Sequence, residues 1–247
     1  NTSNRPEQFF SRRRASIYLN NALTCYNKKS SLREPAFFDH AEYRSIMIQI
    51  RNEEPRDYQR VEEITRKAFY NLYVPGGNEH YLVHIMRSHT DFVPELDFVL
   101  EADGALIGNI MYTKTRLIDE AGEEKNILTF GPVCIAQEYQ RRGYGKLLLE
   151  HSFDRARSLG YDVIVIFGVP GNYVSRGFKS CKKFNVSLPD GTFPTSMMVL
   201  ELQAGVLDGR KWVYHQSAVF EFDEQDAERY DETLEPMEKK YLPCQEE

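Results

Sequence analysis

Gln140-Arg141-Arg142-Gly143-Tyr144-Gly145 stands between an apolar run and an amphipathic one. Upstream, Ile127-Leu128-Thr129-Phe130-Gly131-Pro132-Val133-Cys134-Ile135 has the length and β-branched content of a buried strand. Downstream, Leu148, Ser152, Ala156 and Leu159 recur at helical spacing, and Gly160 falls where a C′ glycine ends a helix. Strand, glycine loop and helix start together aim several backbone N–H groups at one point. The helix dipole, Arg141 and Arg142 add positive charge there, so the point attracts phosphate. A phosphorylated cofactor is the expected ligand.

The kind of loop narrows the kind of cofactor. A P-loop needs a first glycine where Gln140 stands, and Ser or Thr where Leu147 stands. A dinucleotide fingerprint needs a third glycine where Leu148 stands. What is left, Gln-x-x-Gly-x-Gly between strand and helix, resembles the pyrophosphate loop of the GNAT superfamily of N-acetyltransferases. The resemblance extends through Phe130-Gly131-Pro132-Val133-Cys134-Ile135, Glu138-Tyr139-Gln140, Gly168-Val169-Pro170, and Tyr173 to Gly177-Phe178. Leu188-Pro189-Asp190-Gly191, Met197-Met198-Val199-Leu200-Glu201-Leu202 and Gly205-Val206-Leu207-Asp208-Gly209 are similar to its YhbS-like bacterial branch. The likeness covers about Ile48 to Phe220.

The resemblance implies an α/β (α+β) fold: a mixed, mostly antiparallel central sheet, splayed at the cofactor strand and flanked by helices. It implies acetyl-CoA as co-substrate, no metal, and transfer to a primary amine by direct attack in a ternary complex. Cofactor contacts then fall on Val133, Cys134 and Ile135 along the strand, and on Gln140, Arg141, Arg142, Gly143, Tyr144, Gly145 and Lys146 in the loop. The Val133 N–H is expected to polarise the thioester carbonyl, an interaction worth on the order of a few kcal/mol in the transition state. Tyr173, four residues before Gly177-Phe178, corresponds to the family's general acid toward the departing thiolate. Asn172 and Arg176 depart from the branch, which has an aromatic and an apolar residue there.

Composition sets the outer bounds. Forty-one per cent apolar residues over 247 suffice for one sizeable core, and no stretch reaches the roughly twenty apolar residues of a membrane span. The beginning of the chain lacks the apolar core of a signal peptide, so a cytoplasmic location is expected. Cys25, Cys134, Cys181 and Cys244 lack metal-ligand spacing, and Cys134 reads as a small buried hydrophobe. The net charge of −6 argues against nucleic acid as a partner. Residues 1–46 carry eight Lys/Arg against four acids, whereas 221–247 carry eleven acids against three bases.

Three segments are expected. Residues 1–46 form an N-terminal extension, with Phe10, Ile17 and Leu23 at helical spacing; 47–220 form the acetyltransferase domain; 221–247 form an acidic, partly helical tail. The domain opens on the strand Met47-Ile48-Gln49-Ile50-Arg51, then a helix with Asp57 as N-cap and Val61, Ile64, Ala68 and Phe69 on one face. A helix is predicted from Glu79 to Ser88, and a hairpin from Phe98–Ala102 through Asp103-Gly104 into Ala105–Thr115. A turn from Glu120 to Lys125 leads into a strand at Asn126–Ile135. Further strands are predicted at Val163–Phe167, Ser196–Leu202 and Lys211–His215, the first splaying from the cofactor strand. In the tail, Ala227, Tyr230, Leu234 and Met237 keep helical spacing up to the interruption at Pro236.

Substrate-side expectations are weaker. Tyr70, Tyr73, Tyr81 and Phe92 form the walls of an aromatic cleft, and an acidic rim would favour a cationic amine, free or on a peptide. Glu79, His80, His84, Glu95 and Glu101 lie near that cleft, but surface or structural roles are expected for them and no general base is assigned. His151 reads as a flank residue of the cofactor helix. No membrane partner is expected, and a homodimer is left open. A non-catalytic acyl-CoA sensor is the alternative reading, and a purely structural module a third.

Overall fold

The computed structural model describes residues 46–241 and 245. The helix expected around Phe10, Ile17 and Leu23, the arginine run at 12–14, Cys25 and Cys244 lie outside the described residues. The elements are β1 (Ile48–Asn52), α1 (Tyr58–Phe69), α2 (Glu79–Met86), β2 (Phe98–Ala102), β3 (Ala105–Asp119), β4 (Glu124–Ile135) and α3 (Tyr144–Ser158). There follow β5 (Val163–Phe167), the single turn α4 (Pro170–Tyr173), β6 (Lys179–Ser180), β7 (Val186–Ser187), β8 (Met197–Glu201), β9 (Trp212–His215) and α5 (Glu224–Asp231).

The strands make one mixed sheet in the order β1-β2-β3-β4-β5-β8-β6, with β9 added beside β3 and β7 beside β9. The α/β fold with its mostly antiparallel sheet is the one expected. Asp103 and Gly104 both take positive φ, +50° and +78°, the left-handed pair that a tight hairpin turn requires. β3 outruns its expected end at Thr115 and reaches Asp119. The extra length takes β9 as a partner where β2 has stopped, pairing Arg116–Asp119 with Trp212–His215.

Helices cover both faces. On one, the Tyr112 hydroxyl lies 2.7 Å from Ser152 Oγ and ties α3 to the centre of the sheet. On the other, Thr65 of α1 meets Cys134 of β4, Oγ1 to Sγ 3.4 Å. Leu148, Leu149, Phe153 and Ala156 are the buried stripe of α3, and each large apolar side chain buried this way contributes roughly 1.5–3 kcal/mol. Beyond the helix end, Gly160 N–H bonds Arg157 O and Tyr161 N–H bonds Ala156 O, with Gly160 at φ +87°. That is the double bond of a Schellman stop, on the glycine where the sequence placed it.

Two local expectations need correcting. Asp57 precedes α1, but its carboxylate does not cap that helix. It turns back to accept the Glu54 N–H at 2.8 Å and to take both Arg51 terminal nitrogens, at 2.6 and 2.9 Å. A charged partner outbids a lone amide. In the tail, the helix stops at Asp231, so Leu234 and Met237 lie beyond it. The chain there is needed elsewhere: Arg66 donates to Asp231 Oδ1 and to the Glu235 carbonyl, and Asn71 donates to the Glu238 carbonyl. The acidic segment is thus packed against α1 and the loop after it. No helix among the described residues is long and apolar enough to cross a membrane.

Replacing Tyr112 by Phe removes one buried hydrogen bond, while Ser152 keeps its bond to the Leu149 carbonyl. A loss of about 1 kcal/mol is expected, read as a lower midpoint in urea unfolding.

Candidate active site

The site is built where β4 and β5 part. β4 pairs with β3 from Glu124 to Ile135, but with the parallel β5 only at Leu128–Ile164. Between Ile110 and Tyr112 of β3 the register slips, so that Gly131 and Pro132 together face Met111 alone. This bulge increases local twist and turns the end of β4 away. Pro132, with no N–H to donate, sits at the disruption. Among the described residues, Val133, Cys134 and Ile135 then have β3 on one edge and no strand on the other.

The loop closes the far end of this gap. Gln140 Nε2 donates to the Ile135 carbonyl at 2.9 Å and so braces the loop against the strand it leaves. Arg141 and Gly143 are both left-handed, at φ +64° and +91°. Gly143 is the N-cap of α3 and no side chain caps that end. A Cβ built on Gly143 would meet no atom within 4 Å, so the space beside this N-cap is open. The amides of Tyr144, Gly145 and Lys146 open the helix at that space, where the positive end of the dipole favours an anion. The Arg142 guanidinium lies over the Tyr139 ring, 5.7 Å from its centre. Lys146 is within 3.8 Å of Glu150. An anionic, phosphorylated group fits this end of the gap.

Tyr173 stands at the other side. Its ring packs against Phe130 and Phe178, centroids 5.9 and 5.8 Å away. A Cβ at Gly168 would sit 2.8 Å from Tyr173 Cε2, so this pose exists only because residue 168 is glycine. Burial, and then the nearby Tyr73, hold the Tyr173 phenol well above the ordinary tyrosine value. It is therefore a neutral hydroxyl at neutral pH. Asn172 and Arg176, the two departures from the branch pattern, flank it on α4 and on the short turn that follows.

The four aromatic residues expected on the substrate side part company. The Tyr70 hydroxyl bonds Asp231 and the Met237 carbonyl, and the Tyr81 ring packs against Phe222 and Tyr230. Both seat the tail. Tyr73, like Tyr112, lies within electrostatic reach of Tyr173; burial and the neighbouring Glu79 push its own phenol up to about 12. Phe92 is half-buried against the main core.

Of the five ionisable side chains expected near the cleft, His84 and Glu101 have structural partners, and Glu95 and His80 have none that a hydrogen bond provides. His84 stacks on Tyr230 and contacts Glu62; Glu101 receives Arg51; Glu95 is exposed on a turn; His80 is buried with Nε2 3.0 Å from Asp231, out of line for a hydrogen bond. Burial holds the His80 imidazole down at about 4, hence neutral. His151 meets Phe98 edge-on from the outside of α3. Glu79 is the fifth. Its Oε2 is buried without a hydrogen-bond partner, and desolvation pushes the carboxyl up to about 7. The sequence offered no sign of this, because the burial depends on the fold of the loop before α2.

Cys134 and Cys181 are free and buried. Burial raises the Cys134 thiol to about 11, which leaves almost no thiolate at neutral pH. No group of three His, Cys, Asp or Glu among the described residues has metal-binding geometry. A larger groove of about 580 Å³ opens at the other end of β4. Both of its cations are matched within it, Lys125 with Asp162 and Arg210 with Glu123, and it holds none of the site residues described above.

Residues 59–180 match the model of the acetyltransferase (GNAT) family. The chain belongs to this family. An uncharacterised N-acetyltransferase, YhbS of Escherichia coli K12, is 27% identical over 131 residues, covering 53% of this chain and 72% of that protein. The crystal structure of E. coli YhbS in complex with CoA superposes with a TM-score of 0.63 at 22% identity, over 74% of this chain and 97% of that one. A GNAT family acetyltransferase from Brucella melitensis in complex with acetyl-CoA gives a TM-score of 0.55 at 23% identity, over 70% and 98%. At these identities the structural likeness establishes the fold.

Gly168→Ala is expected to push the Tyr173 ring from its place between Phe130 and Phe178. An overpacking cost of about 1–3 kcal/mol would show in thermal unfolding, with shifted Tyr173 ring resonances in NMR.

Proposed function

We propose that this protein is an acetyl-CoA-dependent N-acetyltransferase acting on a primary amine. The observation that carries the reading is the uncapped α3 N-terminus, facing clear space at the end of a strand that has shed its neighbour. The backbone N–H groups from Arg141 to Lys146, helped by Arg142, would bind the diphosphate of coenzyme A. Gln140 holds the loop, and the free edge of Val133, Cys134 and Ile135 would pair with the amide-bearing arm as a strand does. The Val133 N–H would donate to the thioester carbonyl as negative charge gathers there. Bound acetyl-CoA supplies an activated acetyl group.

Direct attack by the amine in a ternary complex is supported by the state of the cysteines. Neither described thiol is placed or ionised to carry an acyl group. Tyr173, neutral and packed against Phe130 of β4, is the proposed general acid toward the thiolate. A non-catalytic sensor would share the diphosphate grip but consume no amine.

Titrating coenzyme A into the protein should give a saturable heat in calorimetry, and its absence would defeat the reading. Gly143→Glu should abolish that heat. A carboxylate would fill the space before the helix, while the left-handed backbone costs a non-glycine residue about 1–2 kcal/mol and leaves the fold intact. Tyr173→Phe should lower kcat by about 10²- to 10⁴-fold while sparing coenzyme A affinity, followed by free-thiol release. Unchanged turnover would remove Tyr173 from the acid role.

A further inference from the structure

Residues 163–189 contain no acidic side chain and four basic ones, Arg176, Lys179, Lys182 and Lys183, in a protein whose net charge is −6. Among the described residues none of the four enters an ion pair or a side-chain hydrogen bond. Cations elsewhere are matched: Arg51 with Asp57, Arg66 with Asp231, Arg87 with Glu53. The acids that adjoin the stretch are already engaged. Asp162 holds Lys125 at 2.6 Å, and Asp190 takes the Thr192 amide and hydroxyl. Glu201 of the adjoining β8 takes the Gly205 and Leu207 amides. The positive charge of this stretch is left uncompensated.

Buried residues between the cations anchor the segment. Phe178 packs on Tyr173 and Phe153, centroids 5.8 and 5.9 Å away. Cys181 is buried, and its thiol donates to the Pro194 carbonyl at 3.6 Å. Arg176 ends the short turn before Phe178 and is half-buried. Lys179 lies in β6, and Lys182 and Lys183 lie in the 3-10 turn Cys181–Phe184, all three exposed. Two tight turns in so short a stretch keep the four charges on one patch. Val174, 58% exposed, precedes Arg176, and Phe193, 38% exposed, is brought near by its neighbour Pro194. Lysine on an outer strand guards the edge against pairing, which accounts for Lys179 in the last strand of the sheet path. The other three are not on a strand.

We propose that this patch is a docking surface for an acidic segment of another protein, whose carboxylates meet Arg176, Lys179, Lys182 and Lys183 and whose apolar side chains cover Val174 and Phe193. Charge complementarity selects the partner. Like charges held close together repel until an anion neutralises them. A long polyanion fits less well than a short segment. A nucleic acid or an anionic bilayer extends beyond so small a patch and meets the acidic remainder of the molecule, above all residues 221–247 with their eleven acids and three bases. A peptide can be anionic only where this surface is cationic. Since Phe178 and Tyr173 share one ring stack, a partner docked here sits beside the candidate active site. The proposal does not depend on the acetyltransferase reading.

The test follows the fluorescence anisotropy of a short labelled peptide rich in glutamate and leucine. Beside it stand the same peptide with glutamine for glutamate, a labelled single-stranded DNA of equal length, and co-sedimentation with vesicles of phosphatidylcholine and phosphatidylserine. The glutamate peptide should bind more tightly than its glutamine counterpart. That advantage should fade as salt shortens the screening length from about 10 Å at 0.1 M to about 3 Å at 1 M. Lys182→Glu and Lys183→Glu should each weaken binding about threefold to tenfold, because each removes an attraction and adds a repulsion. Neither lysine has a described partner to lose, so the melting temperature should stay that of wild type. Lys114→Glu controls for net charge: it is exposed on β3, outside the stretch, and should leave binding unchanged.

Equal affinity for the two peptides, no binding of the glutamate peptide, or an equal loss in Lys114→Glu would overturn the proposal. Tighter binding of DNA or vesicles, lost in Lys182→Glu and Lys183→Glu, would assign the patch to a polyanion. A fall in coenzyme A heat in the same variants would assign these cations to the cofactor. Either result overturns the peptide docking surface and leaves the acetyltransferase reading standing.

Discussion

Everything at this site follows from β4 keeping one neighbour and losing the other. A parallel pair joined along its length would bury the N–H and C=O groups of both strands in a ladder. Here the ladder with β5 is confined to Leu128 and Ile164, so the last residues of β4 hold backbone groups for something other than sheet. The two-for-one bulge at Gly131 and Pro132 supplies the turn, and β3 supplies the anchorage that lets β4 diverge without fraying. α3 then starts beyond the gap, held to the sheet by Tyr112 and Ser152, with its positive end directed at the opening. Strand parting and helix placement are thus two results of one register slip.

What was legible in the sequence is what short-range chemistry decides. The Asp103-Gly104 turn, the Gly160 stop and the loop from Gln140 to Gly145 each depend on residues a few positions apart, and each appears where it was placed. Asp57 was misread because its partner, Arg51, competes with the helix amides for one carboxylate. β3 ran past Thr115 because β9, about a hundred residues on, offers it a second partner. The tail contact between Tyr230 and Glu62 spans 168 positions and leaves no periodic mark. The same holds for Glu79, which by composition is an ordinary surface glutamate and by fold a buried one.

The electrostatics of the cleft separate two kinds of buried ionisable group. Arg87 is enclosed, but Glu53 and Glu62 meet it at 2.7 and 2.5 Å, so its charge is matched. That cluster fixes α2 against the start of the domain. Glu79 and His80 sit at the other end of the same helix with polar atoms unmatched, and both are driven toward their neutral forms. One eight-residue helix carries a satisfied end and a frustrated end.

Asn71 is gripped from several directions at once: its side chain donates to the Glu238 carbonyl and accepts from the Gly76 and Lys240 amides, while its carbonyl accepts from Gln245. The loop that carries Tyr73 is in this way moulded by a stretch of chain more than 160 positions later. The loop from Gln140 to Lys146 is written in one contiguous segment, whereas the Tyr73 side of the site is assembled from two distant ones. Drift in that distant stretch can therefore reshape the Tyr73 loop while leaving the Gln140–Lys146 loop untouched, so that the two sides of the site are free to evolve on separate clocks.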